Sequence, residues 1–406
     1  MEAWLSLSLE VRLAVLFVVG VLVGTQVNRG IYRLAWFPRR IGPWTPPDEK
    51  APPRQWQDRL PIAGWWWLRR ESSLHGAGFW VRPLLIELAM GLGFAALYAW
   101  EVRGGLAPAG SQGILAAAAG RVHAVYFAHL VLLTLMSVAT FIDFDEKTIP
   151  DAITVPGTLI GLLLAALLPE SLLPVVNARG LETLLLHSPQ PWPLGGNRVE
   201  SLGWAIACLG GWCLALLPRT WTLRRGWKKA FQYLLASMFR HRAWMIALGI
   251  FIVGAIGIAF VWQLDDARWR SLYTALVGMA FGGGLIWAVR IVGSNALGQE
   301  AMGFGDVTLM AMIGAFVGWQ PSLLIFFLAP FAAVVISVVQ WLTTGRKDIA
   351  FGPYLCAGTV ILILKWPEIW DWGAGIFYLG WFIPALMAVC MVLMWGMLSL
   401  WRMVAH

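Results

Sequence analysis

The chain has 406 residues, of which 59% are hydrophobic and only 13% are charged, and the apolar residues lie in long blocks. This composition excludes an ordinary soluble domain, and no alternating strand pattern is present, so we predict an all-α, polytopic transmembrane helical bundle. The basic residues that give the net charge of +8 lie in short loops between apolar segments. Basic residues in such loops set the topology and contact membrane lipid, so no nucleic-acid partner is expected.

Hydropathy predicts about eleven spans, because roughly twenty apolar residues are needed to cross a bilayer. Their positions in chain order are about 8–27, 83–100, 123–142, 152–169, 199–217, 243–263, 272–290, 307–320, 322–342, 352–366 and 374–400. Most of the Lys and Arg residues lie in alternate connections, at 28–82, 218–242 and 343–351. The positive-inside rule assigns these connections to the cytoplasm, which predicts an amino terminus outside and a cytoplasmic carboxyl terminus.

The third predicted span ends in an acidic turn, with the sequence FIDFDEKTIPDAITVPG at 141–157. Asp143 follows two apolar residues directly, and a carboxylate at that depth is costly unless it has a task or a partner. Asp145 and Glu146 are expected only to mark the water boundary. Asp151 follows Pro150 at the start of the next span, where we expect it to cap the helix. Asp143 is therefore the predicted functional acid of this turn.

A second acid, Asp306, stands at the start of another apolar segment, GFGDVTLMAMIGAFVGW at 303–319. Gly303 and Gly305 are expected to allow close backbone approach and positive φ in the turn that begins this helix. Gly-x-Gly-Asp alone is a weak signal, since an Asp beside loop glycines can simply cap a helix. The predicted location of Asp306 on the same membrane face as Asp143 favours a function for it.

Two carboxylates in one site cannot both ionise cheaply, so Asp143 and Asp306 are expected to share one proton. Such a pair suits acid–base hydrolysis, because the ionised carboxylate takes a proton from water while the protonated one donates a hydrogen bond to the scissile carbonyl. The sequence does not assign which of the two starts protonated. Glu87, in the second predicted span, is a further candidate, although pairing with a nearby arginine is the more ordinary role for it.

The two acidic motifs resemble those of the type IV prepilin peptidase family, which are intramembrane aspartyl proteases with a Gly-x-Gly-Asp motif. By this resemblance the catalytic residues are Asp143 and Asp306, and the supporting motif residues are Gly303, Gly305, Pro150 and Asp151. Four further segments are similar to family landmarks in the expected order: GTQVNRGIYRL at 24–34, DRLPIAGWWWLRR at 58–70, RPLLIEL at 82–88 and IAFGPYL at 349–355.

The chain departs from the family pattern in three ways. The first cytoplasmic loop lacks the two Cys-x-x-Cys pairs that members often carry, so neither a zinc-stapled loop nor another metal site is expected. Thr308 stands where a lysine is common, two residues after the motif Asp. The chain between the two motifs is longer than usual, and we interpret 199–271 as an insertion of two spans around a basic loop.

These features divide the chain into five parts: the first span (1–27), the Pro-rich basic loop without cysteines (28–82), a transmembrane core segment with the first Asp (83–198), the insertion (199–271) and a core segment with the GFGD motif (272–406). The stretch at 218–242 is predicted to form a basic amphipathic helix on the inner leaflet. Because the insertion adds an even number of spans, it leaves the predicted side of Asp306 unchanged.

The resemblance implies cleavage of type IV pilin or pseudopilin precursors at the cytoplasmic face of the bacterial inner membrane, after the Gly that ends a short basic leader. No cofactor is implied for proteolysis. Many members also methylate the new amino terminus with S-adenosylmethionine. The cytosolic loops carry no glycine-rich nucleotide fingerprint, so the sequence leaves this second activity open.

Two other functions also stay open. A non-catalytic relative that assembles pili or secretion systems would fit Thr308 and the missing cysteines, although both catalytic positions remain Asp. A proton-coupled transporter would also use buried acids and glycine-interrupted helices. Against a transporter, both acids are predicted near the cytoplasmic interface and the sequence shows no inverted repeat.

Overall fold

The computed structural model describes residues 2–39, 41–47, 49–108, 118–177, 180–188, 198–217, 242–344, 351–380 and 382–405, together with three isolated positions between 217 and 242. Within these residues the protein is a bundle of α-helices with one short β-hairpin. The predicted all-α, polytopic fold is confirmed. Helices satisfy their own backbone groups, which is what a chain of this hydrophobicity requires in hydrocarbon.

The α-helices of the described residues are, in chain order, α1 (Glu2–Leu5), α2 (Leu9–Leu34), α3 (Ala63–Leu68), α4 (Ser72–His75), α5 (Val81–Trp100), α6 (Ala119–Glu146), α7 (Asp151–Leu167), α8 (Arg198–Ala215), α9 (Ala243–Gln263), α10 (Asp266–Leu297), α11 (Phe304–Val317), α12 (Trp319–Thr344), α13 (Gly352–Leu364), α14 (Trp366–Phe377) and α15 (Phe382–Ala405). Short 3₁₀ turns lie at Trp56–Arg59 and Arg69–Glu71, and a π turn at Glu101–Gly105 follows α5. Strand β1 (Pro174–Asn177) pairs antiparallel with β2 (Gly180–Thr183).

Seven helices of the described residues are long and apolar enough to cross a membrane: α2, α5, α6, α9, α10, α12 and α15. Three more, α7, α11 and α13, are apolar but shorter. Every predicted span overlaps one of these helices or α8, with ends displaced by several residues. The number of spans and their direction through the bilayer stay predictions.

Local signals in the sequence account for several helix ends. The Ser8 hydroxyl accepts a hydrogen bond from the Val11 amide at 3.4 Å at the start of α2, and the Asp265 carboxylate accepts one from the Arg268 amide at 2.8 Å at the start of α10. Gly298 ends α10 with a φ of 72°, a left-handed conformation that glycine adopts without strain.

Glycines allow α10 and α11 to pack backbone against backbone. A Cβ atom on Gly282 would lie 2.6 Å from the carbonyl oxygen of Met310, and one on Gly314 would lie 2.7 Å from the carbonyl carbon of Gly278. Small residues favour such close helix contacts in membranes, where burial of apolar surface supplies little driving force. As a result every residue of α11 from Asp306 to Val317 is buried, and this helix forms the core of the bundle.

The loop between α2 and α5, residues 35–80, is held together by ion pairs whose carboxylates are buried. Arg54 donates to both carboxylate oxygens of Glu71, each at 3.0 Å, and also to backbone carbonyls of Gly42 and Thr45. Arg70 donates to Asp58 at 2.5 Å. Such charge-assisted, two-pronged contacts are among the stronger hydrogen bonds in proteins. This loop is therefore fixed by arginine–carboxylate pairs in a chain that has no cysteine there.

Glu87 joins this loop to α2 and α5. Its carboxylate accepts hydrogen bonds from Asn28 Nδ2 at 3.2 Å, from Trp65 Nε1 at 2.8 Å and from the Ile62 amide at 2.5 Å. The predicted pairing with an arginine is wrong, since no ion pair to Glu87 occurs among the described residues. Amide and indole donors satisfy the carboxylate instead.

The helices of the predicted insertion pack into the bundle. Gly254 of α9 packs directly against the side chain of Leu209 in α8, where an added Cβ would lie 2.6 Å from Cδ2. At the other end of these helices, Arg198 donates to the backbone carbonyl of Trp262 at 2.7 Å. The predicted amphipathic helix at 218–242 lies almost wholly outside the described residues. The division of the chain into five parts stays a prediction.

Candidate active site

Asp143 lies in the last turn of α6, where the helix stops at Lys147. The Lys147 amide donates to the Asp143 carbonyl at 3.0 Å, and Lys147 itself has a left-handed φ of 57° that turns the chain out of the helix. The Asp143 side chain is only 5% exposed, and its Oδ2 atom has no hydrogen-bond partner in the described part of the chain. An unsatisfied buried carboxylate is costly to stability, so its presence calls for a functional explanation.

Asp306 lies in the first turn of α11, three residues after the N-cap residue Gly303. Its side chain is 8% exposed, and within the described residues it forms no ion pair with a Lys, Arg or His. The two carboxyl groups are close enough for the charge of Asp143 to act on Asp306. The fold therefore brings together two acids that lie far apart in the sequence.

Both acids line one open cavity of about 780 Å³. Its lining carries four carboxylates and one cation, so the cavity is acidic; these residues are Asp143, Asp151, Glu300, Asp306 and Lys147. Of the other carboxylates, Glu300 is paired with Arg290 at 2.5 Å. Leu34, Ala35 and Trp36 contribute an apolar rim from the end of α2. Water and an extended polar chain can both reach a cavity of this size and polarity.

The two acidic motifs are held together by a direct backbone contact. A Cβ atom on Gly305 would lie 2.9 Å from Ile149 Cβ and 3.1 Å from the Ile149 carbonyl oxygen, so only glycine allows this approach. The prediction of close approach is therefore correct for Gly305. The prediction of positive φ is wrong for Gly303 and Gly305, because Gly303 has a φ of −68° and Gly305 lies within regular helix.

Pro150 and Asp151 begin α7, but not as predicted. Pro150 is the N-cap residue, and Asp151 is the first residue of the helix, so the expected N-cap role for Asp151 is wrong. Asp151 lies close to the hydroxyl of Thr308. Thr308 also accepts from Thr154 at 3.0 Å and donates to the Gly305 carbonyl at 3.1 Å. A buried hydroxyl network thus connects α7 and α11 at the position where a family lysine was expected.

Asp145 and Glu146 link the end of α6 to neighbouring segments. Arg82 donates to both oxygens of Asp145, at 2.8 and 2.9 Å. Glu146 accepts from the backbone amides of Trp36 and Phe37, at 2.7 and 3.1 Å. Both acids were expected only to mark the water boundary, but Glu146 fixes the chain that leaves α2 beside the cavity and Asp145 holds the start of α5.

Two residues near the pair were not singled out from the sequence. A Cβ atom on Gly352 would lie 2.7 Å from Asp143 Oδ2, so the start of α13 packs directly on this carboxylate. Cys356, one turn further along α13, is 5% exposed and lies within electrostatic range of both acids. For Gly352 the signal was the IAFGPYL segment at 349–355, whose likeness to a family landmark carried no assigned role, and Cys356 lies one residue beyond it.

The chain matches a known family over part of its length. Residues 234–338 match the type IV leader peptidase family. The matched segment covers about a quarter of the chain; it includes Asp306 and begins after Asp143.

Several curated bacterial proteins are similar over comparable lengths, and those described here all have the name prepilin leader peptidase/N-methyltransferase. The protein of Pseudomonas aeruginosa is 36% identical over 97 residues, which cover 23% of this chain and 33% of the relative. The protein of Pseudomonas putida is 29% identical over 162 residues, covering 39% and 51%. The protein of Escherichia coli K12 is 34% identical over 93 residues, covering 22% and 41%.

The matches therefore span about a third to a half of the length of these relatives. No solved structure matches the chain. The resemblance stated from the motifs is confirmed as a similarity: over residues 234–338 this chain is similar to the type IV leader peptidase family.

Proposed function

We propose that this protein is an aspartyl endopeptidase of the membrane that removes the leader from type IV prepilin or pseudoprepilin precursors. The observation that carries the proposal is the pair Asp143 and Asp306, two buried carboxylates without an ion pair in the described residues, which line one open cavity. The similarity to prepilin leader peptidases supports the substrate class.

The chemistry follows from the shared site. Because the negative charge on one carboxylate disfavours charge on the other, the pair carries one proton between them near neutral pH. The ionised member removes a proton from a water molecule, and the protonated member donates a hydrogen bond to the scissile carbonyl oxygen. After attack, the newly protonated carboxyl group can deliver its proton to the leaving amine, which returns the pair to its starting state.

The position of the pair suits a substrate that is itself partly in the bilayer. Asp143 is at the end of one apolar helix and Asp306 at the start of another, so a bond at the membrane interface can reach both. The acidic lining of the cavity favours a basic leader. The distribution of Lys and Arg in the loops supports a cytoplasmic opening in a bacterial inner membrane.

Methylation of the new amino terminus is a separate activity. The relatives are named as N-methyltransferases as well as peptidases. The loops of this chain carry no glycine-rich nucleotide fingerprint. We therefore include no methyl-transfer step in the proposal.

The experiment is cleavage of pilin-like precursors from the same genome, co-expressed with the protein and analysed by mass spectrometry. We expect wild type to cut after the Gly that ends the leader, and Asp143→Asn and Asp306→Asn each to abolish the cut. An added mass of one methyl group on the product would reveal methylation. Properly inserted precursors left uncut by the wild type would favour a non-catalytic assembly role.

A further inference from the structure

A second cavity lies beside the acidic one, between α8, α10 and α11. Its volume is about 340 Å³, and none of its lining residues is charged. The lining includes Gly211, Trp212, Gly284, Phe304, Val307 and Ala311. This apolar groove, as we call it, has α8 of the predicted insertion as one wall, so it is not built from the two acidic motifs alone.

Two glycines in the wall of the apolar groove leave room for another helix to approach closely. Gly211 and Gly284 are exposed, and a Cβ added to either meets no atom within 4 Å in the described part of the chain. The neighbouring Gly282 behaves differently, because it packs on the Met310 backbone of α11. Small residues that face open space in a membrane helix allow another helix backbone to approach closely.

Trp212 gives the apolar groove an unpaired hydrogen-bond donor. The side chain is 7% exposed, and its Nε1 atom has no hydrogen-bond partner among the described residues. An unsatisfied donor in an apolar surrounding is unfavourable, and indole N–H groups usually find an acceptor when buried. Thr308, a polar residue of the lining, is already hydrogen-bonded to Thr154 and to the Gly305 carbonyl, so the described residues leave this N–H without an acceptor.

The apolar groove and the acidic cavity meet at one residue. Phe304 lines both of them, and it lies two residues before Asp306 at the start of α11. A chain that passes Phe304 therefore has an uncharged, small-residue surface on one side and a cavity with four carboxylates and one cation on the other. This order of surfaces is complementary to an apolar helix preceded by a basic segment.

We infer that the apolar groove binds the transmembrane helix of the precursor and holds the leader junction beside Phe304, within reach of Asp143 and Asp306. The inference rests on the proposed function for the identity of the precursor. The bound helix packs its backbone against Gly211 and Gly284. Recognition of the substrate helix is thereby assigned to α8 together with α10 and α11.

The first test fills the apolar groove without touching the acids. Gly211→Leu and Gly284→Leu place a side chain in open space, and we expect each to raise KM for the precursor by about ten-fold with little change in kcat, equivalent to about 1.4 kcal/mol of binding. Gly203→Leu is the matched control, because Gly203 is exposed on the same helix, has equal room for a Cβ, and does not line the groove. We expect its KM to equal that of wild type.

The second test does not depend on cleavage. A photoreactive phenylalanine analogue replaces Gly211 or, as control, Gly203 in an Asp143→Asn background, and crosslinking to an intact precursor is followed in vesicles. We expect the precursor helix to be captured from position 211 and not from 203. The inference is overturned if both groove variants have the KM of the wild type, or if position 211 crosslinks to lipid alone. The proposed function still stands in that case, provided that the wild type cleaves the precursor. Capture of the precursor from position 211, together with a wild type that leaves the precursor uncut, would support the groove and reject the peptidase.

Discussion

Glu71, in the loop between α2 and α5, and Glu87, beneath that loop, are each 1% exposed, and every one of their carboxylate oxygens accepts a hydrogen bond. Asp143 and Asp306, around the acidic cavity, are almost as buried, yet neither has an ion pair in the described residues and Asp143 Oδ2 has no partner. Partnered carboxylates repay their desolvation through contacts, whereas unpartnered ones reduce stability. The difference separates acids that hold the structure from acids available for chemistry.

Burial without a complete set of hydrogen-bond partners is not sufficient by itself to mark an acid as available for chemistry. Glu101, after α5, is fully buried; one oxygen pairs with His129 Nδ1 at 2.7 Å and the other has no partner in the described residues. It does not line the acidic cavity. The combination that marks Asp143 and Asp306 is burial, the lack of an ion pair and access to a cavity that water can enter.

The largest expected effect comes from neutralising Asp143 or Asp306, the two cavity acids without an ion pair. Asp143→Asn or Asp306→Asn should lower the rate of leader removal by about 10²–10⁴-fold, since each removes one partner of the acid–base pair. Neither should lower the thermal unfolding temperature in detergent, because no ion pair is lost. Cleavage rates and thermal unfolding curves, measured on the same preparations, check the expected rate and the expected stability. A large loss of stability in either variant would show that this acid holds the structure, as Glu71 and Glu87 do.

Neutralising a partnered acid should instead lower the stability of the protein. Glu71→Gln leaves Arg54, which is 11% exposed, without its counter-charge, and breaking such a buried pair costs about 3–5 kcal/mol. Denaturant or thermal unfolding in detergent measures the loss. Glu368→Gln is the control, since its pair with Lys365 is exposed and worth about 0–1 kcal/mol. Equal stability of the two variants would contradict the assignment of Glu71.

Crowding the Asp143 carboxylate should slow cleavage without removing a charge. Gly352→Ala places a methyl group 2.7 Å from Asp143 Oδ2 and from Ile149 Cδ1, so the acid must move. A displacement of about 1 Å at a reacting group can cost about 10²-fold in rate. Single-turnover cleavage measures it, with Gly375→Ala as control because a Cβ there meets nothing within 4 Å. Cleavage by Gly352→Ala at the control rate would show that Asp143 need not hold this position.

The smallest effect is expected at Glu87. Glu87→Gln keeps one acceptor oxygen but replaces the other with an amide NH₂ group. The hydrogen-bond donors that faced the lost oxygen then have no acceptor, which lowers stability by about 1–3 kcal/mol. The loop should become more accessible to a protease while the folded fraction keeps its cleavage rate. Limited proteolysis at the loop and the rate per folded molecule check this. A rate loss as large as that of Asp306→Asn would move Glu87 into the active site.

Helix positions could be predicted from the sequence because hydropathy reports directly on the bilayer. Each predicted span overlaps a helix, and the two acidic motifs led to the residues that meet in the cavity. Helix ends were less predictable: α2 continues to Leu34, beyond the apolar run, since Asn28 and Ile31 remain buried against neighbouring segments.

Contacts between distant side chains could not be predicted in the same way. The pair formed by Arg54 and Glu71, and the packing of Gly352 on Asp143, depend on how the loop and α13 fold back, which leaves no periodic trace in the sequence. The hairpin of β1 and β2 is too short for alternation to be recognised. The apolar groove needs three helices at once, so no single segment reveals it.

Whether Asp143 and Asp306 form one site is tested most directly by infrared difference spectroscopy of the protein in bilayers at neutral pH, with wild type compared to each Asn variant. A proton shared by the pair predicts a protonated-carboxyl band in the wild type that disappears or shifts in both Asp143→Asn and Asp306→Asn. A band that either substitution leaves unchanged would mean that the two acids titrate independently, which contradicts the two-aspartate mechanism.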